Sequence, residues 1–314
     1  MNRFRIVHVT EFEYESLVSE SYNEVHLQPR DDERQSCLSF RLVTRPAATA
    51  SASLDYFENW VHRFAILRQH RHLRIEAESV VMVHPPPPAP VGGPTLAELD
   101  ADVAELRDEH YDFVTPTEYV PALASLRSLV ATGEAECDGT ALGFARAAAA
   151  LVNARFRYEK GATHVHSSLA DVLAAGAGVC QDFAHVLLGV ARARGLPARY
   201  VSGYRVPAGQ TEDVRGGLAS HAWVEVFVPR VGWIGLDPTL GGPVDAHHVR
   251  LAYGRDYADV APVRGVHKGH AGQTLSVDVT ACPALDDEGC ERRQERSTGE
   301  DAPPPVTEPL QQQQ

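Results

Sequence analysis

Apolar and polar residues alternate through the first 84 positions, with Phe4, Ile6, His8, Thr10, Phe12 and Tyr14 on one parity and RHLRIEAESVVMV continuing the period near residue 80. A period of two over several short runs predicts a β-rich domain over 1–84. Proline lacks a backbone donor and fixes φ, so the proline run that follows fits neither a helix nor a central strand; residues 85–95 read as an extended linker. From residue 96 the pattern turns helical: LAELDADVAELRDEH, PALASLRSLVATG and TALGFARAAAALVNARFRYE place apolar residues three and four apart. After Pro197 the period returns to two in ARYVSGYRV, SHAWVEVFV and GWIGLDPT, with weaker strands to residue 281. Helices followed by antiparallel strands define an α+β core over 96–281, and the acidic, proline-bearing stretch 282–314 is expected to be disordered.

Composition narrows the function classes. Forty-two acidic against 29 basic residues give a net charge of −13, which disfavours nucleic acid and anionic membrane surfaces as partners. No apolar run reaches the roughly 18 residues of a membrane span, and MNRFRIVHVTEFEYES lacks a signal-like apolar block, so a cytoplasmic protein is expected. Five scattered cysteines without a CxxC pair fit reduced thiols. Only Lys160 and Lys268 carry side-chain primary amines.

The stretch GAGVCQDFAHVLLGVARARGLP holds the first candidate chemistry. Phe183, Val186, Leu187 and Val190 form one apolar helical face, Arg192 and Arg194 give a basic last turn, and Gly195 and Pro197 end the helix. Counting back puts Cys180, Gln181 and Asp182 in the first turn. Free amides and the positive end of the helix dipole there favour a thiolate, and the same amides can hold an oxyanion. Asp182 lies roughly 200° around the helix from Cys180, where it can serve first-turn amides. Taken alone, a Cys before an apolar helix is more often a small core residue than a nucleophile.

In SHAWVEVFVPRVGWIGLDPT, His221, Trp223, Glu225 and Phe227 share one strand face, as do Trp233, Gly235 and Asp237 on the next strand. A hairpin centred on Pro229 sets His221 directly opposite Asp237, with their Cβ atoms roughly 4.5–5.5 Å apart. Asp237 can then accept from one imidazole nitrogen while the other faces outward. Nucleophile, base and base-orienting carboxylate are what thiol catalysis requires.

Together GVCQDFAH, GLPARYVSGY, SHAWVEV and GWIGLDPT resemble the bacterial transglutaminase-like family, whose core is papain-like, with helices packed on an antiparallel sheet. SYNEVHLQPR and DYFENW resemble the N-terminal domain that accompanies this core. The resemblance implies a Cys, His, Asp triad on Cys180, His221 and Asp237. It also implies attack on a glutamine-like carboxamide or peptide bond of a protein or peptide substrate, through a thioester resolved by water or by a primary amine. For the oxyanion, the Cys180 amide is the first donor considered, with the Tyr158 hydroxyl as a second. Gln181 is either a carbonyl-polarising neighbour or a solvent-facing glutamine, and Trp223 either walls the acyl site or caps the core.

No cofactor or metal is expected. His164, His166 and His185 suggest a metal alternative, but an HxH pair arises easily among 15 histidines and lacks structural-zinc spacing. Nothing resembles a calcium loop. The competing reading is a catalytically silent peptide-binding module on the same scaffold. Sequence leaves the oligomeric state open.

Overall fold

The computed structural model describes residues 2–85, 91–163, 167–207, 220–269 and 272–284. His164, His166, part of the linker and residues 285–314 of the expected tail lie outside them. Six strands open the chain: β1 (Asn2–Val18), β2 (Glu20–Val25), β3 (Gln35–Arg45), β4 (Ser51–Leu54), β5 (Trp60–Ile66) and β6 (His70–Val83). The alternation shows in β6, where Leu73, Ile75, Ala77, Val81 and Val83 are buried on one parity.

Thr95, at the linker's end, caps α1 (Leu96–Glu109), accepting from the Glu98 amide while Glu98 accepts from the Thr95 amide. The helical part continues through α2 (Tyr111–Val114), α3 (Leu126–Glu136), α4 (Ala141–Arg155), α5 (Leu169–Ala175) and α6 (Cys180–Ala193). Two short strands, β7 (Arg157–Tyr158) and β8 (Ala177–Gly178), pair in parallel just before α6. Then come β9 (Ala198–Arg205), β10 (Ser220–Val228), β11 (Gly232–Asp237), β12 (Gly242–Pro243), β13 (His248–Gly254), α7 (Tyr257–Val260), β14 (Val263–Lys268) and β15 (Gln273–Pro283).

The core sheet runs β12-β11-β10-β9-β13, each neighbouring pair antiparallel. Helix α6 packs across β9 and β10, and Phe183, Val186, Leu187 and Val190 are fully buried, as the three-and-four spacing requires. Its end follows the expected chemistry: Gly195 takes φ 90°, and the Leu196 amide donates to Ala191 O at 3.0 Å.

The domain boundary differs from the sequence reading. Strands β14 and β15, assigned there to the core, instead complete the N-terminal sheets, whose orders are β14-β2-β5-β4 and β15-β1-β6-β3. The chain therefore returns to its first domain after building the core. The expected tail also begins late, since Cys282 and Pro283 still belong to β15. Cys37, Cys137 and Cys180 are free thiols.

Candidate active site

The helix that carries Cys180 is prepared by the turn before it. Helix α5 ends at Gly176, whose φ of 61° is the left-handed region glycine tolerates best. Pairing of β7 with β8 sets Tyr158 beside Gly178, two residues short of Cys180. Gly178 is required by closeness: a Cβ there would sit 2.5 Å from Asp182 Oδ2. Asp182 is buried and accepts from the Val179 amide at 2.8 Å and the Thr163 hydroxyl at 2.6 Å. Its carboxylate thus holds the approach to Cys180, in line with the expected service to backbone amides. Burial nevertheless raises its pKa, although the Thr163 and Val179 bonds oppose that.

Strands β10 and β11 bring the other two groups. Val224 faces Leu236 and Val228 faces Gly232, so the register centres on Arg230, and a three-residue loop of Pro229, Arg230 and Val231 joins them. Arg230 adopts φ 67°, the left-handed residue such loops use. The expected centre on Pro229 is therefore corrected by one residue. His221 and Asp237 lie on a diagonal of the same face rather than directly opposite, a geometry that long side chains bridge. The bridge is made: His221 Nε2 lies 2.8 Å from Asp237 Oδ2. Cys180 acts on the same imidazole and favours its charged form. An ionised carboxylate only accepts, so Nε2 carries a proton toward Asp237 and Nδ1 is the nitrogen left for Cys180.

Asp237 is fully buried and accepts four hydrogen bonds. Oδ2 takes His221 Nε2 and, at 3.1 Å, His248 Nε2; Oδ1 takes the amides of Thr239 at 2.8 Å and Leu240 at 3.2 Å. Burial opposes its ionisation, but the hydrogen bonds and charges of the two imidazoles outweigh it and hold the carboxyl far below the usual range. For His221, burial disfavours the imidazolium, while the bonds and charges of Asp237 and Cys180 reverse that and lift its pKa to about 10.

The remaining expected site residues fall as follows. Tyr158 is half-buried against Phe183, and burial together with the negative charges of Cys180 and Asp182 keeps its hydroxyl protonated. Gln181 is half-buried beside Cys180. Trp223 is 1% exposed, with its ring 5.2 Å from that of His248 and 6.3 Å from that of His221. It packs behind the site and does not wall an acyl pocket. His185 is a core residue between Tyr119 and Tyr200; burial, then Arg192, lowers its pKa to about 3.

His248 went unforeseen. Nothing in local spacing links it to Asp237: β9 and β10 separate β13 from β11 in the sheet, and only the folded structure brings the two side chains together. The ligand atoms of His221, Asp237 and His248 lie within 4.8 Å of one another, a composition that also suits a cation. The observed hydrogen-bond lengths to one shared oxygen fit protons between these groups, and a cation would have to displace both.

The fold and this arrangement define a papain-like thiol architecture. Residues 4–82 match the bacterial transglutaminase-like N-terminal region and residues 104–238 the transglutaminase-like superfamily. An uncharacterized protein of Mycobacterium tuberculosis is 34% identical over 310 residues, covering 90% of this chain and 93% of that one. A Mycobacterium leprae protein, also uncharacterized, is 34% identical over 287 residues, covering 89% and 98%. The chain belongs to the bacterial transglutaminase-like family. A solved structure from Cytophaga hutchinsonii, proposed to be a cysteine protease, shares the fold with a TM-score of 0.71 at 21% identity, covering 91% of this chain and 92% of that one. A protein-glutamine gamma-glutamyltransferase of Pseudomonas aeruginosa is 42% identical over 66 residues, which is 20% of this chain and 10% of that protein. No helix among the described residues is long and apolar enough to cross a membrane.

Proposed function

We propose that the protein is a thiol enzyme acting on amide bonds through Cys180, His221 and Asp237. The observation that carries this reading is the His221 ring, bonded to a saturated, buried Asp237 at 2.8 Å and raised in pKa by both Asp237 and Cys180. In this scheme the Cys180 thiolate attacks the carbonyl carbon of a glutamine side chain or peptide bond, and His221 Nδ1 delivers its proton to the departing amine. Collapse of the tetrahedral adduct breaks the C–N bond and leaves a thioester. The Cys180 amide at the tip of α6 is the oxyanion donor, with the protonated Tyr158 hydroxyl as second donor. Water or a primary amine then attacks the thioester, and His221 takes the proton of the incoming nucleophile. Protein or peptide substrates with a glutamine or amide group, and a primary amine as acceptor, follow from this chemistry.

The test is incubation with a glutamine-containing peptide library, with and without a primary amine, followed by mass spectrometry of enzyme and peptides. Thioester on Cys180 together with deamidated, cleaved or amine-coupled peptide supports the proposal. No acyl-enzyme and no product, with peptide still retained, would instead establish the silent binding module.

A further inference from the structure

Strand β13 is an edge of the core sheet, and an edge strand leaves a row of main-chain groups without strand partners. Two buried side-chain amides from the N-terminal domain close it. Gln35 Nε2 donates to Arg250 O at 2.7 Å while Gln35 Oε1 accepts from the Arg250 amide at 2.8 Å. Asn59 repeats the pattern on Tyr253, donating to its carbonyl at 2.9 Å and accepting from its amide at 3.0 Å. Each amide makes both bonds that a paired strand residue would make. Asn59 is itself fixed by Asp55 at 2.8 Å and Arg30 at 2.9 Å, which ties DYFENW and the end of SYNEVHLQPR to this one strand. The Arg250 guanidinium adds ion pairs to Asp32 of the N-terminal domain and Glu225 of the core.

The same strand begins with His248, two residues before Arg250. Strands β10 and β9 lie between β11 and β13, so His248 reaches Asp237 only while β13 keeps its place. Its Nδ1 is held at 2.9 Å from Asp245 Oδ1, and Asp245 in turn lies 3.7 Å from Arg205. The Trp223 ring closes the remaining side. With Oδ1 of Asp237 on turn amides, the His248 N–H fixes where Oδ2 points, and Oδ2 is the atom His221 needs.

We propose that His248 is a positioning residue for Asp237, and that the N-terminal domain acts on the site by clamping β13 through Gln35 and Asn59. This rests on the thiol reading of Cys180. The domain is then part of the machinery that aligns the base, rather than a separate recruiter of substrate.

The test uses the full chain and follows iodoacetamide labelling of Cys180 by peptide mass spectrometry at pH 6 and pH 10, with Cys137 as internal reference. At pH 10 thiols are largely ionised without help, so a positioning defect shows only at pH 6. His248→Phe is expected to slow labelling at pH 6 by about tenfold, with little change at pH 10. His248→Gln, whose amide can donate to the same oxygen, is expected to recover most of that loss. Gln35→Met, remote from the site residues, is expected to shift the rate in the same direction as His248→Phe and serves as the reporter if that variant does not fold. Wild-type rates for both His248→Phe and Gln35→Met at pH 6 overturn the inference. If wild-type Cys180 itself labels no faster than Cys137 at pH 6, the thiol reading fails instead, which keeps the two failures apart.

Discussion

Replacing Asp237 by asparagine asks the most of the arrangement. The native carboxylate accepts four hydrogen bonds while fully buried, two from imidazoles and two from backbone amides. An amide of the same shape has one accepting oxygen and brings two donors of its own. If the oxygen stays with Thr239 and Leu240, the NH2 group meets His221 Nε2 and His248 Nε2, and each imidazole must give up its Nε2 proton or lose its bond. If the side chain flips, the NH2 group faces two backbone donors that cannot adapt. Each unsatisfied buried donor costs about 1–3 kcal/mol. Two of them amount to roughly 2–6 kcal/mol, a range that spans the ~3–5 kcal/mol cost of leaving one member of a buried ion pair alone. Urea unfolding of wild type and Asp237→Asn at pH 7 measures the loss, and 15N NMR of the His221 ring reports whether both nitrogens stay protonated. The expected result is a stability loss of that order together with loss of the Nε2 proton that the charged wild-type ring holds toward Asp237. A variant within about 0.5 kcal/mol of wild type, with an unchanged ring spectrum, would refute the reasoning.

Two further predictions follow from the same geometry. A Cβ on Gly203 would sit 2.2 Å from Val249 O and 2.4 Å from the Trp223 ring, so Gly203→Ala should cost about 1–3 kcal/mol in urea unfolding by pushing β13 from β9. Stability should also vary with pH in two directions. His221 has a raised pKa, so its contribution is full below roughly 6.5 and is lost as pH climbs toward about 10. Asp237 has a depressed one, so its contribution is full above roughly 4 and falls away in acid. Unfolding midpoints from pH 3 to 10 for wild type and His221→Gln check the alkaline limb, which should flatten in the variant.

How much of this was legible follows from what each residue's neighbours are. Cys180 and its helix could be placed because Phe183 to Val190 and the Gly195 stop are local signals, and the structure buries that face as the spacing demands. The shared face of His221 and Asp237 was legible for a similar reason, since side-chain parity survives a shift of the hairpin centre from Pro229 to Arg230. The centre itself was not, because it depends on Arg230 taking a left-handed φ that no pattern of apolar residues announces. Long-range partners were hidden altogether. Alternation marks QTLSVDVTA as a strand but does not say that it pairs with residues 4–14 at the opposite end of the chain. His248 and the Gln35 and Asn59 clamp were hidden in the same way, each acting across a sheet or a domain boundary.

The most direct test of the central claim is the rate of iodoacetamide labelling at Cys180 relative to Cys137 as pH is raised from 5 to 9, in wild type and in His221→Gln. The account predicts that Cys180 labels fast well below pH 8 while Cys137 does not, and that the difference vanishes in the variant. Equal rates for the two cysteines across the range in the wild-type protein would contradict it.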